Sequence, residues 1–135
     1  MRKILVTGAN GQLGWELGQL AASYPQYEFI FTDRSVIDLS KPDTLAAIIN
    51  EMAPDAIINT AAYTAVDKAE DEADLAKAVN ETGASNLAQL CKQHQATLIH
   101  ISTDFVFEGN EIKLLIEEDV TKPISVYGAT KLDGE

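Results

Sequence analysis

The sequence predicts an α/β fold: a doubly wound parallel sheet, truncated after about five strands. Short β-branched apolar runs alternate with segments of helical apolar period, which favours a parallel sheet with crossover helices over a bundle or a sandwich. A glycine turn lies between the first apolar run and the first helical segment. Unusual polar residues cluster at the predicted carboxyl ends of strands, where parallel sheets bind their ligands.

The five predicted strands are short apolar runs bounded by turn residues. In chain order they are KILVT (residues 3–7), EFIFTD (28–33), SVID (35–38), DAIINTAA (55–62) and TLIHIST (97–103). SVID is the shortest of them. The runs show no clear alternation of apolar and polar residues, as expected for strands that are buried on both faces.

The predicted helices occupy the intervals between these runs. The first begins at Gly11 and continues until Tyr24-Pro25, with Leu13, Leu17 and Leu20 at helical spacing. Ser40 is the expected N-cap of a second helix that has Pro42 in its first turn and extends through Ala53. The longest helix is expected over residues 71–94. An irregular segment then covers residues 108–123, and a last helix begins near Ser125.

Composition predicts a single cytoplasmic domain of 135 residues. No stretch approaches the roughly 20 apolar residues of a membrane span, and MRKILVTG enters the first strand without a signal-peptide pattern. The net charge of −11 opposes binding to nucleic acid or anionic lipid, because both need clustered Lys and Arg. The single cysteine, Cys91, is expected to be buried and unreactive.

The stretch TGANGQLG places Gly8, Gly11 and Gly14 three residues apart, after a strand and at the start of a helix. This arrangement is typical of dinucleotide binding in a Rossmann-like sheet. It provides a tight turn, a close backbone approach to the diphosphate and close helix–strand packing. The helix N-terminus adds unpaired N–H groups and a partial positive charge. The sequence therefore predicts an NAD(P)-binding Rossmann domain over residues 1–135.

The end of the second strand carries the residues expected to choose the cofactor. Asp33 lies nineteen residues after Gly14, where an acid accepts hydrogen bonds from the adenosine ribose and favours NAD(H). The neighbouring Arg34 can hold a 2′-phosphate instead, so NADP(H) stays open. Asp38 and Leu39 are expected to line the adenine pocket, although a helix-entry aspartate explains Asp38 almost as well.

Tyr127 and Lys131 are spaced for one face of the last helix. There the ammonium of Lys131 can approach the Tyr127 hydroxyl and favour its ionised form, and lowering a phenol pKa of about 10 by about 3 units takes roughly 4 kcal/mol. Tyr127 is then the expected proton donor to a carbonyl oxygen that accepts hydride. A hydroxyl at the end of the fifth predicted strand, from Thr103 or its rival Ser102, is expected to donate a hydrogen bond to the same oxygen.

Other polar residues receive weaker assignments. His94 and His100 are expected to take no part in the chemistry. Asn80 is either an ordinary helix residue or one that serves the Tyr127–Lys131 pair, by hydrogen-bonding the backbone nearby or by relaying a proton through water. The acidic run DKAEDEAD (residues 67–74) is read as a solvated helix entry, and no spacing typical of metal ligands is found.

Four stretches together resemble the dTDP-4-dehydrorhamnose reductase family of extended short-chain dehydrogenase/reductases. They are ILVTGANGQLGWEL (residues 4–17), INTAAYTAVDKAE (58–70), HISTDFVFEG (100–109) and VYGATKLDGE (126–135). The resemblance implies reduction of the 4-keto group of dTDP-4-dehydro-L-rhamnose by NADPH or NADH, which makes dTDP-L-rhamnose for bacterial polysaccharides. Family members are longer than this chain, so we expect the C-terminal sugar-nucleotide-binding part to be absent.

The motifs and the resemblance together define the predicted site. Thr103, Tyr127 and Lys131 are the catalytic residues, and Thr103 and Asp104 fall at positions that contact the dTDP-sugar. The predicted cofactor residues are Gly8, Asn10, Gly11, Gln12, Leu13, Gly14, Asp33, Asp38, Leu39, Ala61, Ala62, Tyr63, Thr64, Tyr127 and Lys131.

Some alternatives remain open at this stage. Another sugar-nucleotide epimerase or dehydratase of the superfamily shares most of these motifs, and a non-catalytic regulatory subunit resembling that of methionine adenosyltransferase keeps a similar Tyr/Lys pair. An unpaired sheet edge leaves a homodimer open. The resemblance also associates Mg²⁺ with a subunit contact near Glu16, but one carboxylate does not define a metal site.

Overall fold

The computed structural model describes residues 1–135 and shows four strands and six α-helices. The strands are β1 (Arg2–Thr7), β2 (Tyr27–Thr32), β3 (Ala56–Asn59) and β4 (Thr97–His100). The helices are α1 (Gln12–Ala21), α2 (Pro42–Met52), α3 (Val66–Ala69), α4 (Ala73–Lys77), α5 (Gly83–His94) and α6 (Val126–Asp133). A π-helical turn (Ala78–Thr82) joins α4 to α5, and a 3-10 turn (Asp104–Val106) follows β4.

The four strands form one parallel sheet in the order β2-β1-β3-β4. Each strand is followed by helical segments before the next one, as the alternation in the sequence predicts. All four carboxyl ends therefore lie at the same edge of the sheet. The predicted fold class is confirmed, with four strands rather than five.

Helices cover both faces of this sheet. On one face α2 and α5 bury a core cluster over β1 and β3, which includes Leu45, Ile49, Leu87, Leu5 and Ile57. Successive strand residues point to opposite faces, so the residues next to Leu5 and Ile57 point away from this cluster.

On the other face α1 lies over β2. A Cβ placed at Gly18 of α1 would be 4.0 Å from the Phe31 ring. Phe31 is in register with Val6, the neighbour of Leu5, so its ring points away from the core cluster. The helices thus lie on opposite faces, which makes the sheet doubly wound.

The prediction of a strand at SVID (residues 35–38) is wrong, and so is the predicted count of five strands that included it. Residues 35–38 form a turn in which the backbone N–H groups of Val36 and Ile37 donate to the Asp33 carbonyl. The side chain of Asp33 also accepts from Ser35 N and Oγ. These local bonds satisfy the backbone without a neighbouring strand, while Ile37 is still buried in the core cluster.

Ser40 is not the N-cap of α2. Its N–H and hydroxyl both donate to Asp38 Oδ1, and Lys41 occupies the cap position without a side-chain bond. Pro42 does open the helix, as predicted. The long helix expected over residues 71–94 is observed from Ala73 to His94, interrupted by the π-helical turn.

The segment between the 3-10 turn and α6 is irregular, as predicted. It exposes large apolar side chains, including Ile112, Leu114 and Val120. None of the helices in the fold combines the length and the apolar character that crossing a bilayer requires.

Gly14 allows α1 to pack against the turn that precedes it. It is buried, and a Cβ at this position would overlap the Gly8 carbonyl oxygen and lie 2.8 Å from Ala9 Cα. Both neighbours are backbone atoms, which cannot rotate away as a side chain can. The third glycine of the turn is therefore required for the close approach of helix and strand end.

We expect Gly14→Ala to lower the free energy of unfolding by about 1–3 kcal/mol, because the added methyl group forces the backbone of the turn apart. Gly18→Ala, one turn later on the same helix, is the matched control. There the nearest atom would be 4.0 Å away, so the gain in helix propensity should stabilise the chain by about 0.5–1 kcal/mol. Urea unfolding of both variants measures the difference, and a similar effect at the two positions would contradict this role of Gly14.

Candidate active site

A cleft of about 770 Å³ opens at the carboxyl ends of β1, β2 and β3. It is lined by the glycine turn, the turn after β2 and the segment after β3. Most of the predicted cofactor residues line it: Gly8, Asn10, Gly11, Gln12, Asp33, Asp38, Leu39, Ala61, Ala62, Tyr63 and Thr64. The structure thus brings together residues that are far apart in the chain, at the place where parallel sheets bind ligands.

Gly8 brings the first turn against the end of β3. Its φ of +70° is in the left-handed region, and a Cβ there would lie 2.8 Å from the Ala61 nitrogen and from Thr60 Oγ1. The Thr60 hydroxyl donates to the Thr7 carbonyl at 2.6 Å, which holds the two strand ends together. Any larger residue at position 8 would be strained and would push these strand ends apart.

The N-terminus of α1 faces the cleft without a competing acid. Gly11 is its N-cap, no side chain caps the helix, and its first turn has no acidic residue. The first N–H groups of a helix have no partners within it and carry a partial positive charge. This end of the cleft therefore fits a diphosphate, which needs N–H donors and little bulk.

Asp33 is a fixed carboxylate at the second strand end. Its Oδ1 accepts from the Ser35 hydroxyl and from Ser35 N, and its Oδ2 accepts from Asn10 Nδ2 at 3.0 Å. The bonds from Ser35, followed by that from Asn10, lower the pKa of Asp33 below its ordinary value of 3.8. The group is thus anionic at neutral pH, as a ribose-binding acid needs to be.

Two cations lie beside Asp38, the other aspartate that lines the cleft. Arg34 Nε is 3.4 Å from Asp38 Oδ2, and Lys41 Nζ is 3.9 Å from the same oxygen. The Arg34 side chain is 71% exposed and lines the cleft. Burial acts to raise the pKa of Asp38, but the bonds from Ser40 and Arg34 outweigh it and the pKa is lowered. Asp38 thus orients Arg34 at the rim.

Tyr63 connects the cleft to the acidic segment before α4. Its hydroxyl donates to Glu72 Oε2 at 2.5 Å, and this bond raises the pKa of Tyr63 to about 12. Lys68 also pairs with Glu72, at 3.0 Å. The Tyr63 phenol is therefore neutral near pH 7 and unsuited to proton transfer. Glu72 is thus a structural partner and not only a solvated charge, as is Glu70 of the same run, which accepts from Val126 N at 2.9 Å.

Asn80 links the cleft wall to α6. Its Oδ1 accepts from Tyr63 N at 2.8 Å, while its Nδ2 donates to the Tyr63 carbonyl at 3.1 Å and to Thr130 Oγ1 at 3.2 Å. The side chain is 2% exposed and belongs to the π-helical turn. Of the two roles left open for Asn80 by the sequence, the structure supports hydrogen bonding to backbone next to the Tyr127–Lys131 helix.

Lys131 does not bond to Tyr127. The residue is only 3% exposed, and its ammonium donates to the Ile101 carbonyl oxygen just beyond β4. Burial lowers the pKa of Lys131, and Glu135 partly offsets this. The expected approach of the ammonium to the Tyr127 hydroxyl does not occur as a hydrogen bond, because the lysine extends toward the end of the sheet.

Tyr127 lies against the segment that carries the predicted substrate residues. Its ring packs edge-on against Phe105, with ring centres 5.4 Å apart. Thr103 caps the 3-10 turn by accepting from Phe105 N at 3.2 Å, and Asp104 is exposed. Thr103 and Tyr127 thus contact the same residue, Phe105. The rival hydroxyl, Ser102, donates instead to Glu135.

Some predicted residues do not line the cleft, and some lining residues were not predicted. Leu13, Gly14, Tyr127 and Lys131 lie outside its lining, as do Thr103 and Asp104. Arg34, considered only for a 2′-phosphate, lines the cleft together with Ser35, Ile37, Thr60 and Val79. Thr60 directly follows a strand end, a signal that could have identified it. Val79 comes from a distant helix and has no such signal.

No group of three or more His, Cys, Asp or Glu side chains is arranged to hold a metal ion. Glu16 lies on the exposed side of α1. The residues of this chain therefore define no metal centre.

Comparisons with known proteins agree with this geometry. The sequence model described as the RmlD substrate binding domain matches residues 1–135. A dTDP-4-dehydrorhamnose reductase of Burkholderia thailandensis is 47% identical over 133 residues, which are 98% of this chain and 44% of that protein. The chain thus spans about half the length of the curated relatives it matches.

Solved structures are similar over the same length. A dTDP-4-dehydrorhamnose reductase of Clostridium acetobutylicum has a TM-score of 0.92 and 44% identity, covering 98% of this chain and 47% of that one. The enzyme of the same name from Bacillus anthracis, in complex with NADP, has a TM-score of 0.92 and 38% identity, covering 99% of this chain and 48% of that one. The parallel sheet and its helices are therefore shared with these enzymes.

We expect Asn80→Ala to destabilise the chain by about 2 kcal/mol, because it leaves the partly buried N–H and C=O of Tyr63 without their side-chain partner and removes the buried bond to Thr130. Asn86→Ala on α5 is the control, since Asn86 lies on the same helical segment but makes none of these bonds. Urea unfolding and amide hydrogen exchange at Tyr63 measure the effect. Equal losses in the two variants would show that Asn80 does not link the cleft wall to α6.

Proposed function

Because this chain belongs to the family of the RmlD substrate binding domain, we propose that residues 1–135 form the NAD(P)-binding Rossmann domain of a cytoplasmic dTDP-4-dehydrorhamnose reductase. The complete enzyme would reduce the 4-keto group of dTDP-4-dehydro-L-rhamnose to give dTDP-L-rhamnose. The observation that carries this proposal is the cleft at the strand ends, where Gly8, the open end of α1 and Asp33 meet.

The cleft fits each part of a dinucleotide. The diphosphate would lie on the Gly8–Gln12 turn, where the glycines have no side chains and backbone N–H groups can donate to it directly. Asp33, anionic and held by Asn10 and Ser35, would accept from the adenosine ribose. The segment Ala61–Thr64 would then direct the nicotinamide toward α6, to which Asn80 joins it.

The bound cofactor would supply a hydride to the carbonyl carbon of the sugar. Residues of this chain would stabilise the carbonyl oxygen, which becomes negative as the hydride is transferred. Tyr127 would donate its phenolic proton to this oxygen, and Thr103 Oγ1 would donate a hydrogen bond to it. Both residues contact Phe105, which supports their acting at one place.

Lys131 would serve the same reaction as a fixed positive charge. The Ile101 carbonyl holds its ammonium at one position, where its charge favours a phenolate on Tyr127 after proton transfer and its remaining N–H groups can bond the nicotinamide ribose. Asp104, exposed beside Thr103, is the proposed contact to the dTDP-sugar.

Calorimetric titration of NADPH and NADH into the chain tests the cofactor site. We expect Gly11→Leu to weaken binding at least tenfold, since Gly11 lines the cleft and a larger side chain would occupy the diphosphate position. The extended backbone of Gly11 (φ −79°) suits other residues, but a Cβ there would lie 3.2 Å from the Gly8 carbonyl oxygen, so circular dichroism checks that the variant is folded. Tyr127→Phe, which removes only the hydroxyl, should keep most of the affinity, and similar binding by both variants would contradict these roles.

We further propose that Arg34 selects NADPH. Asp33 Oδ1 already accepts two hydrogen bonds and Oδ2 accepts one, which leaves Oδ2 for a single ribose hydroxyl, whereas Arg34 is largely exposed and only its Nε is near an acid. We expect Arg34→Ala to weaken NADPH binding about tenfold, the value of one charge-assisted bond of about 1.5 kcal/mol, and to leave NADH binding within about twofold. Lys41→Ala is the control for general charge, and an equal loss for both cofactors would show that Arg34 does not contact the 2′-phosphate.

A further inference from the structure

A chain of buried hydrogen bonds crosses the ends of three neighbouring strands beneath the cleft. Thr7 Oγ1 donates to Asn59 Oδ1 at 2.5 Å, and Asn59 Nδ2 is 2.9 Å from His100 Nδ1. These residues end β1, β3 and β4, and Thr7 and Asn59 are almost completely buried. Each one directly precedes a segment that the proposed reaction uses: Gly8, Thr60 and Ile101.

The direction of these bonds defines the state of His100. The Thr7 hydroxyl donates to the Asn59 side-chain oxygen, so the atom of Asn59 that faces the imidazole is its amide nitrogen. Because an amide nitrogen only donates, His100 Nδ1 must accept this bond. The ring is then neutral, with its proton on Nε2. His100 Nε2 is the one buried side-chain nitrogen or oxygen of this chain that has no hydrogen-bonding partner in the protein.

His100 shares its surroundings with Lys131. The residue after His100 is Ile101, whose carbonyl oxygen holds the Lys131 ammonium. Lys131 and Glu135 are the charged groups that act on the ring, while β3 contributes the uncharged Asn59. Helix α5, which also packs on β4, buries Cys91, whose thiol is neutral because burial raises its pKa.

The space behind the end of β4 therefore favours one positive charge over two. Burial, and then the charge of Lys131, lower the pKa of His100, with Glu135 acting in the opposite direction. A second cation would also turn Nδ1 into a donor facing the Asn59 amide nitrogen, so the Asn59–His100 bond would be lost. Protonation of His100 would therefore break the Asn59–His100 hydrogen bond and place a second positive charge near the Lys131 ammonium.

We propose that His100 is a positioning residue for Lys131: the neutral ring, held by Asn59, keeps the Ile101 carbonyl where it binds the ammonium. Uptake of a proton by the ring breaks this arrangement and weakens cofactor binding on the nicotinamide side. The role of Lys131 toward the cofactor rests on the proposed function, but its coupling to His100 does not. A purely structural histidine would support the strand end without changing the affinity for the cofactor as its ring titrates.

The coupling is tested on the chain without cofactor, by following the His100 ring signals in NMR over pH. We expect the pKa of His100 to rise in Lys131→Met, which removes the neighbouring charge, and to stay low in Lys131→Arg, which keeps it. The signals of His94, at the far end of α5, provide an internal control. An unchanged His100 titration in Lys131→Met would overturn the proposal.

The consequence for binding is tested with NADH, because the 2′-phosphate of NADPH titrates near pH 6 itself. Wild-type affinity should fall as His100 takes up its proton, by about tenfold one pH unit below the pKa that NMR gives, since only the neutral fraction is competent. His100→Asn places an amide oxygen near the Nδ1 position and cannot be protonated, so it should bind NADH at neutral pH and lose this pH dependence. His100→Leu, which offers Asn59 no acceptor, should bind weakly at every pH.

The NMR titration and the NADH titration separate failure of the proposed function from failure of the positioning role of His100. Failure of the wild-type chain to bind either NADH or NADPH would contradict the proposed function, while the NMR titration would still decide the coupling. A His100→Asn variant that binds NADH with the wild-type pH dependence would overturn the positioning role, because another group would then be titrating. Circular dichroism at each pH confirms that the chain is folded over the range used.

Because His100 is neutral in the folded chain, we also expect the free energy of unfolding to depend on pH. The folded chain holds His100 with a lowered pKa, so it binds fewer protons there than the unfolded chain, whose ordinary value is 6.5. This contribution to stability is fully present above pH 6.5 and is lost as the pH falls through the folded value. His100→Asn should remove this part of the pH dependence in urea unfolding, and an unaltered slope would contradict the neutral ring.

Discussion

The site depends first on how closely the turn after β1 approaches the end of β3. Gly8 lies against Thr60 and Ala61 with no room for a side chain, and the Thr60 hydroxyl fastens the two strands by bonding to the Thr7 carbonyl. Backbone groups can therefore line the floor of the cleft. An anionic ligand is best served by such a surface, because N–H groups offer partial charge without the bulk and motion of lysine or arginine.

Short-range donors also explain how a strongly acidic chain could bind an anionic ligand. It carries a net charge of −11, which repels a phosphorylated ligand at long range. Locally, the end of α1 has no acid, and Arg34 and Lys41 lie near the rim, oriented by Asp38. Short-range donors decide binding here, because surface charges more than about 10 Å away are screened by salt.

The two parts of the proposed active site are connected through buried polar side chains rather than through the cleft itself. Asn80 ties the backbone of Tyr63 to Thr130 on α6, and the Thr7–Asn59–His100 chain runs beneath the ends of three strands. Such bonds are directional and costly to leave unmade in a dry interior. They set the distance between the dinucleotide cleft and the Tyr127–Lys131 helix more firmly than apolar packing would.

Local patterns in the sequence determined the order of strands and helices, the glycine turn and the positions of the strand ends. Apolar period and glycine spacing are properties of a few consecutive residues, so they can be read without the fold. Residues 35–38 were misassigned as a strand because their apolar content matches one, while Asp33 bonds them into a turn. Only the tertiary structure decided that Lys131 bonds to Ile101, that Asn80 bonds to Tyr63 and that Asn59 bonds to His100. Those outcomes depend on partners 17 to 41 residues away in the chain, whose approach is created by the packing of the sheet and its helices.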